Sequence, residues 1–313
     1  MKNFTSIADI DSADPMPLVE EAINIKNSNT IEKIGTGKTL GLIFLNSSLR
    51  TRMSSEKAAS NLGMNTMVMN LNNDGWNIEY EDGAIMDGSS QEHIQDAVKV
   101  MSGYCDIIGV RTFGELKNQR EDYQEKVLNA FLEHASVPVI SLESATLHPL
   151  QSFADLITIK EFNITKPKIV VSWAPHPKAL PQAVVNSFLE WIKKTDANVI
   201  LTHPEGYNLA DKYTKGIEIS HDQNKALKNA DFVYVKNWSS YEQYGQVLST
   251  DTSWTINAEK MALTNNGRFM HCMPIRRNVI ATDEVINNSI IYQQAKNREY
   301  SAQIVLNKIL QNL

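Results

Sequence analysis

Cysteine is scarce in this sequence, and long apolar runs are missing. Cys105 and Cys272 are the only cysteines among 313 residues. Two are too few for a disulfide framework, so we expect a reducing compartment, the cytoplasm. No stretch approaches the roughly 20 apolar residues that a membrane-spanning helix needs. The first residues, MKNFTSIADIDSADPMP, also lack the apolar core of a signal peptide. We therefore expect a cytoplasmic protein without a membrane partner.

An excess of positive charge is also missing. The sequence has 30 lysines and arginines against 36 aspartates and glutamates, and its net charge is −6. This balance argues against nucleic acid as a partner. The spacing of histidine and cysteine matches no closed metal site, and we expect neither a metal nor another cofactor. A chain of 313 residues is too long for one ordinary core and predicts about two domains.

Short apolar runs alternate with helical patterns along most of the chain. The runs are continuously apolar, which is typical of strands covered on both faces. Strands that alternate with helices predict parallel sheets with right-handed crossovers. The predicted strands are 39–45, 66–70, 106–110, 138–142, 168–173, 198–202, 231–235 and 268–271, and the predicted helices include 53–62, 91–102, 123–134, 180–194, 222–229 and 291–310.

Four predicted strands lie on each side of Gln151. The pattern predicts an α/β fold of two parallel-sheet domains of similar size, joined by bridging helices. We expect the domains to span residues 1–150 and 151–290, with the helix after His148 as a bridge. The last helix, in residues 291–313, is expected to pack back on the first domain. Ser89 and Glu92 have the spacing of a capping box for the helix that follows them.

The segment GTGKT, at residues 35–39, is similar to the end of the phosphate-binding loop of ATPases and kinases. The complete pattern requires another glycine where this sequence has Glu32. The loop should also follow a strand, whereas this segment precedes one. A P-loop ATPase or kinase is therefore an alternative that the residues disfavour.

The stretch FLNSSLRTR, at residues 44–52, places hydroxyl groups and arginines where a predicted strand leads into a helix. A helix N-terminus supplies free N–H groups and the positive end of a dipole, which favours a bound anion. Arg50 and Arg52 would be unfavourable beside that end unless an anion were bound. A guanidinium also binds phosphate oxygens through two hydrogen bonds. The stretch predicts a phosphate site, and a helix cap with solvated arginines is the alternative.

Three motifs in this sequence resemble those of the transcarbamylases, the aspartate and ornithine carbamoyltransferase family. SLRTR at 48–52 resembles Ser-x-Arg-Thr-Arg, and HPLQ at 148–151 resembles His-Pro-x-Gln. HCMP at 271–274 resembles the His-Cys-Leu-Pro of the ornithine branch, with Met273 in place of leucine. The resemblance covers essentially the whole chain. It implies a carbamoyl-phosphate-binding first domain, an amino-acid-binding second domain, and transfer of a carbamoyl group between the two substrates.

The resemblance also implies roles for the matching residues. Arg111 and His148 would stabilise the negative charge that develops on the carbonyl oxygen, and Cys272 would help to position the attacking amine. These three are the expected catalytic residues. A catalytically inactive binding paralogue is the alternative, and the retained polar residues disfavour it. The expected binding residues for carbamoyl phosphate are Ser48, Leu49, Arg50, Thr51, Trp76, Arg111, His148 and Gln151.

The residue that follows the predicted strand 231–235 bears on the second substrate. Ordinary ornithine transcarbamylases have an aspartate there, which holds the α-ammonium group of ornithine. This sequence has Lys236, which would repel an ammonium group and suits a carboxylate or an amide oxygen. A lysine that points to solvent is the alternative. The sequence resembles a branch of the family that uses N-acylated ornithine, and the expected binding residues for that substrate are Glu143, His176, Lys236, Cys272, Arg276 and Arg298.

Gln91 is the expected specificity residue for the acyl group. Acetyl-using relatives tend to carry glutamate there and succinyl-using relatives proline, whereas a neutral glutamine would not repel a succinyl carboxylate. We expect carbamoyl transfer to the δ-amino group of N-succinyl-L-ornithine in arginine biosynthesis, with N-acetyl-L-ornithine as the alternative. Trp76 lies in the polar stretch NNDGWN, and the resemblance to this branch implies that it reaches a neighbouring subunit's site. The resemblance implies that this homo-oligomer is a trimer.

Overall fold

The computed structural model describes residues 1–10, 12, 14–28 and 30–313. The first half of the chain contains the strands β1 (Thr39–Phe44), β2 (Asn65–Asn70), β3 (Ile78–Glu79), β4 (Glu92–His93), β5 (Ile107–Arg111) and β6 (Val139–Glu143). Four of them form a parallel sheet in the order β2-β1-β5-β6. The inner strands are buried along almost their whole length, as their continuous apolar runs predict. The short strands β3 and β4 form a separate parallel pair.

The second half of the chain contains a five-stranded parallel sheet. Its strands are β7 (Lys168–Trp173), β8 (Asn198–Thr202), β9 (Glu218–Ser220), β10 (Phe232–Lys236) and β11 (Arg268–Met270). They lie in the order β11-β10-β7-β8-β9. Sequence patterns missed β9, because this edge strand has three residues and exposes two of them. The predicted fold class, two parallel α/β sheets, is confirmed.

Helices connect the strands and cover the sheets. The α-helices are α1 (Met16–Asn27), α2 (Arg50–Asn61), α3 (Leu71–Asp74), α4 (Ile94–Tyr104), α5 (Gln119–Tyr123), α6 (Lys126–His134), α7 (Pro149–Lys160), α8 (Ala183–Ile192), α9 (Asp211–Thr214), α10 (Gln223–Leu227), α11 (Ala258–Met261), α12 (Asp283–Asn287) and α13 (Ile291–Leu310). Two short 3₁₀ helices span Ile7–Asp9 and Thr252–Trp254. Within the described residues, no helix has the length and apolar character that crossing a membrane requires.

The start of α4 differs from the prediction. The capping box of Ser89 and Glu92 is wrong, because Glu92 pairs with β3 as part of β4. The helix begins at Ile94, and its N-cap is His93, whose Nδ1 accepts a hydrogen bond from the backbone N–H of Gln95 at 3.2 Å. An imidazole nitrogen thus takes the place of the serine hydroxyl.

The predicted helix 123–134 is interrupted at Glu125. This residue adopts a left-handed conformation, with φ of 50°, and separates α5 from α6. Its carboxylate accepts hydrogen bonds from the hydroxyl groups of Ser144 and Thr146, both at 2.6 Å. The carboxylate of Glu125 therefore holds the loop between β6 and α7 in place, just before the HPLQ segment.

The GTGKT segment forms a turn that leads into β1. Lys38 within it pairs with Asp106 at 2.9 Å, at the entry of the neighbouring strand β5. The segment therefore lies at the opposite end of the strand from FLNSSLRTR. The strand-loop-helix geometry of an ATPase or kinase phosphate loop is not formed at GTGKT.

Helices α7 and α13 occupy the centre of the molecule. Every residue of α7 from Pro149 to Ile159 is buried. The last helix, α13, packs against α7, α2 and α1, and twelve of its residues are buried, several of them polar. These helices connect the cores of the two halves and place polar side chains between the sheets.

His203 follows β8 and is completely buried. Its Nδ1 lies 2.8 Å from the carbonyl oxygen of Pro204, to which it donates. Its Nε2 has no partner among the described residues. Burial, helped by the neighbouring His221, lowers the pKa of His203 to about 4. The imidazole is therefore neutral in the folded protein at pH 7 and lies within the core of the second half.

We expect the free energy of unfolding to fall when the pH is lowered from 7.5 to 5. Below pH ~6.5 the unfolded chain binds a proton at His203, whereas the folded chain stays neutral there down to the lower folded pKa. This group contributes about 2 kcal/mol to the loss at pH 5. Chemical denaturation at both pH values should show a loss smaller by that amount in His203→Gln, which cannot titrate. Equal losses in the two proteins would contradict this account.

Candidate active site

A cavity of about 290 Å³ lies between the two halves of the chain. Its lining residues come from the carboxyl ends of strands in both sheets, where parallel α/β sheets bind ligands. Twelve of the predicted site residues line it: Ser48, Arg50, Thr51, Arg111, Glu143, His148, Gln151, His176, Lys236, Cys272, Arg276 and Arg298. Segments separated by more than 200 residues in sequence thus meet at one site.

Three predicted site residues lie outside this cavity. The side chain of Leu49 is 64% exposed and that of Trp76 is 54% exposed, and Gln91 is also exposed. The indole N–H of Trp76 donates to the carboxylate of Glu92 at 2.8 Å. Within one chain, therefore, the segment that carries Trp76 and Gln91 forms its own surface and does not reach the cavity.

The cavity is also lined by residues for which the sequence predicted no role in the site. They are Phe113, Leu180, Pro181, Val184, Asn237, His271, Met273, Pro274 and Ile280. Asn237 follows the predicted residue Lys236, and His271 precedes the predicted residue Cys272. Their positions at the ends of strands could therefore have predicted them. The apolar residues of the loop before α8 carry no such signal, because an apolar loop residue and a core residue look alike in one sequence.

Arg111 and Glu143 form a buried ion pair at the ends of two neighbouring strands. Nη2 of Arg111 lies 2.8 Å from Oε2 of Glu143, and Nε donates to the same oxygen at 3.1 Å. Nη1 donates to the backbone carbonyl oxygens of Asn46 and Ser47 at 3.0 and 2.9 Å. One guanidinium group thus fixes the loop between β1 and α2 against the end of β6.

His148 and Arg298 meet behind this pair. Nη1 of Arg298 lies 3.3 Å from Nε2 of His148, and Nη2 lies 3.3 Å from the hydroxyl of Thr51. Burial and the nearby charges of Arg298 and Arg111 hold the pKa of His148 well below its ordinary value. Burial also lowers the pKa of Arg298 to about 10, so this arginine keeps its charge at pH 7. The histidine is neutral and hydrogen-bonds as an uncharged group.

The start of α2 faces the cavity without a side-chain cap among the described residues. Nε of Arg50 donates to the carbonyl oxygen of Met273 at 3.0 Å, which joins α2 to the second half. Arg52 instead pairs with Glu56 at the surface. The sequence predicted that Arg50 and Arg52 both lie near a bound anion. Arg50 lines the cavity, whereas Arg52 does not and pairs with Glu56 one helical turn away.

His176 and Arg276 form a hydrogen-bonded pair at the second half's side of the cavity. Nε of Arg276 donates to Nε2 of His176 at 2.9 Å. Nδ1 of the same ring lies 2.8 Å from the carbonyl oxygen of Lys178 and 3.0 Å from the backbone nitrogen of that residue. Burial and the charges of Arg276 and Lys236 lower the pKa of His176. The imidazole therefore accepts a hydrogen bond and holds the guanidinium in place.

Lys236 ends β10 and is half-buried. Of the residues that the structure describes, none places a carboxylate within 4.0 Å of its ammonium group or a hydrogen-bond acceptor within reach. Among the described residues, therefore, this cation of the cavity has no counterion. Its place in the cavity lining disfavours the alternative of a lysine that points to solvent.

Positive charge predominates in the cavity. Among the described residues, five cationic side chains line it, namely Arg50, Arg111, Lys236, Arg276 and Arg298, and Glu143 is the one carboxylate there. Burial raises the pKa of the Cys272 thiol, so the sulfur is protonated at pH 7. The site is thus suited to anionic ligands, and it offers no thiolate nucleophile.

Two family models match the chain. Residues 2–161 match the aspartate/ornithine carbamoyltransferase carbamoyl-P binding domain, and residues 181–309 match the aspartate/ornithine carbamoyltransferase Asp/Orn binding domain. The first model ends just after α7, and the second begins just before α8.

Curated relatives and solved structures agree with this match. The chain is 51% identical to an N-succinylornithine carbamoyltransferase of Bacteroides fragilis over the full length of both chains. It is 34% identical to an N-acetylornithine carbamoyltransferase of Xanthomonas campestris pv. campestris, over 95% of this chain and 94% of the relative.

A similar solved structure is a glutamate-to-proline variant of N-acetyl-L-ornithine transcarbamylase, complexed with carbamyl phosphate and N-succinyl-L-norvaline. It superposes with a TM-score of 0.93 at 33% identity, over 99% of this chain and 100% of that chain. The motifs, the fold and the cavity at the strand ends have the same explanation: the chain belongs to the aspartate/ornithine carbamoyltransferase family.

Proposed function

We propose that this protein transfers the carbamoyl group of carbamoyl phosphate to the δ-amino group of N-succinyl-L-ornithine, giving N-succinyl-L-citrulline and phosphate. The observation that carries the proposal is Lys236, a cation with no counterion among the described residues, which shares its cavity with Ser48, Arg50 and Thr51. A cavity with positive charge at both ends fits a phosphoryl dianion and a second, anionic substrate.

The phosphate is proposed to bind at the start of α2. The backbone N–H groups of the first turn, the hydroxyls of Ser48 and Thr51 and the guanidinium of Arg50 supply donors there. These donors gain strength as negative charge collects on the departing phosphate, so they would stabilise the transition state more than the bound substrate.

The carbonyl oxygen of carbamoyl phosphate is proposed to face Arg111 and His148. Because His148 is neutral, it would donate a hydrogen bond without adding charge to a strongly positive site. The acceptor amine must be unprotonated to attack, and its unperturbed pKa is about 10.4. Cys272, with its protonated thiol, would orient this amine and form no covalent intermediate. The reaction is then a direct transfer between two bound molecules.

The carboxylate groups of the acceptor are proposed to bind at the second half's side of the cavity. Lys236 and Arg276 supply the charges, and His176 holds Arg276 in place. Free ornithine would bring its α-ammonium group to this positive region at an energetic cost, whereas acylation removes that charge. Leu180 and Val184 line the same cavity and offer apolar contact to the methylene groups of the acceptor.

The succinyl group is proposed on two grounds. The curated relative that is 51% identical is named for N-succinylornithine, whereas the relative named for N-acetylornithine is 34% identical. The structure with N-succinyl-L-norvaline is a variant that replaces a glutamate by proline. The neutral Gln91 of this chain, which stands where acetyl-using relatives tend to carry glutamate, has the same electrostatic effect as that replacement.

We further propose that the protein acts as a homotrimer in the cytoplasm, in arginine biosynthesis. Met53, Met67, Met69 and Trp76 form an exposed apolar set around α2, β2 and the segment that follows. Exposed apolar patches mark interaction surfaces, and these residues are proposed to form one. Trp76 would then complete the carbamoyl phosphate site of a neighbouring subunit, because it does not reach the cavity of its own chain.

The first experiment supplies carbamoyl phosphate with N-succinylornithine, N-acetylornithine or ornithine and measures ureido product and phosphate. We expect kcat/KM to decrease in that order. Arg50→Ala should raise KM for carbamoyl phosphate by at least about 10-fold, since a hydrogen bond to a charged group is lost. Lys236→Ala should raise KM for the acceptor by about 10-fold, with little change in KM for carbamoyl phosphate.

Lys225→Ala, which changes an exposed lysine of α10, serves as the matched control and should match the wild type. A preference for free ornithine would contradict the assignment of Lys236. The absence of transfer to all three acceptors would favour the inactive-paralogue alternative.

Replacement of Gln91 by glutamate should reverse part of the acyl preference. The added negative charge would repel the succinyl carboxylate, and we expect kcat/KM for N-succinylornithine to fall about 10-fold relative to that for N-acetylornithine. Gln91→Asn is the matched control, because it changes the side chain without adding charge. If both variants keep the wild-type ratio of the two kcat/KM values, Gln91 does not determine specificity.

Subunit complementation tests the position of Trp76. Trp76→Ala and Arg50→Ala chains, each with a different affinity tag, are co-expressed, and mixed trimers are isolated. If Trp76 acts in a neighbouring site, each mixed cyclic trimer has one intact site and about one third of the wild-type activity. Mixed oligomers no more active than their two parents would place the tryptophan's function within its own chain.

A further inference from the structure

A buried carboxylate lies directly behind Gln151. Asp155 is completely inaccessible to solvent and lies one helical turn after Gln151 on α7, so the two side chains share a face. Oδ1 of Asp155 accepts hydrogen bonds from Nε2 of Gln151 and from Nε2 of Gln294, both at 2.7 Å. Oδ2 accepts from the hydroxyl of Tyr234 at 2.9 Å. This carboxylate does not line the cavity.

The donors and acceptors of this network can be assigned by starting from the backbone N–H of His271. The backbone N–H of His271 can only donate, and it donates to Oε1 of Gln294 at 2.9 Å. The other end of that amide, Nε2, must then face Asp155. Burial raises the pKa of Asp155 to about 6, against the effect of its three donors, so the group is mostly ionised at pH 7 and only accepts hydrogen bonds.

The same logic fixes Gln151. Because Asp155 only accepts, the end of the Gln151 amide that faces it must be the donor, Nε2. Oε1 is then the end left for the cavity that Gln151 lines, and no donor among the described residues satisfies it. The orientation of an amide, which sequence patterns leave open, is determined here by the chain of contacts from His271 through Gln294 and Asp155.

We propose that Asp155 is a positioning residue that holds Oε1 of Gln151 toward the transferred group, so that the site selects a donor substrate with an amide NH₂. This inference rests on the proposed carbamoyl transfer and deepens it. A carbamoyl NH₂ can donate to Oε1, whereas the methyl group of acetyl phosphate leaves that oxygen unsatisfied. Were the Gln151 amide free to rotate, its own NH₂ could turn to the cavity, and this preference would be lost.

The test compares carbamoyl phosphate with acetyl phosphate, which has a methyl group in place of NH₂. Acetyl phosphate is used as a competitive inhibitor, and its Ki is divided by KM for carbamoyl phosphate. We expect Asp155→Leu to lower this ratio by about 10-fold, because Gln151 loses its fixed orientation. Asp155→Asn should keep the wild-type ratio within about 3-fold, since its oxygen can still accept from Gln151 and Gln294.

Two further comparisons separate positioning from general damage. Thr158→Ala removes another buried polar group of α7, whose hydroxyl accepts from Asn297 of α13, and it should leave the ratio unchanged. Gln151→Leu should lower the ratio as much as Asp155→Leu, and the double variant should lower it no further. Asp155→Ser, whose side chain is too short to reach Gln151, gives the same readout if the leucine variant fails to fold.

The outcomes distinguish this inference from the proposed function. A wild-type protein that transfers no carbamoyl group would overturn the proposed function. An active wild type, together with an Asp155→Leu or Asp155→Ser variant that keeps the wild-type ratio, would overturn the positioning role alone. If these variants lower kcat but leave the ratio of Ki to KM unchanged, the positioning role is also overturned, because general structural damage lowers kcat in the same way.

Discussion

The site depends on holding like charges together at the meeting point of two sheets. Five cationic side chains line one cavity with a single carboxylate. Such a set repels itself until an anion binds, so the surrounding fold must hold it in place. The ion pair of Arg111 and Glu143, and helix α7, which is buried from Pro149 to Ile159, supply that rigidity. A bound phosphoryl dianion, as proposed for this site, would offset much of that repulsion.

Burial, more than the positive field, sets the protonation states of the histidines and the cysteine in the cavity. The pKa values of His148, His176 and His271 are all lowered, chiefly by burial and further by the neighbouring lysine and arginines. Burial keeps the Cys272 thiol protonated. The site therefore contains no charged imidazole and no thiolate. Its chemistry is electrostatic stabilisation and orientation of two bound substrates, which agrees with a direct transfer.

Much of this arrangement could be read from the sequence, because strand ends of parallel sheets converge. The position of Lys236 after β10 and of Arg50 after β1 followed from that rule. Glu143 was assigned to the substrate, and its pairing with Arg111 was missed. That pairing requires β5 to lie beside β6 with these two residues in register, which one sequence does not specify. The start of α4 was missed because His93, an uncommon cap, replaces the predicted serine.

The last helix explains why residues so distant in sequence form one site. Through Arg298, α13 contacts both Thr51 of α2 and His148 at the start of α7, and through Gln294 it contacts Asp155. Asn61 of α2 donates to Glu299 and Gln303 on the same helix. These contacts are polar and buried, so they favour one relative position of the three helices. The geometry of both proposed substrate sites is therefore a property of this helix packing as much as of the loops that carry the motifs.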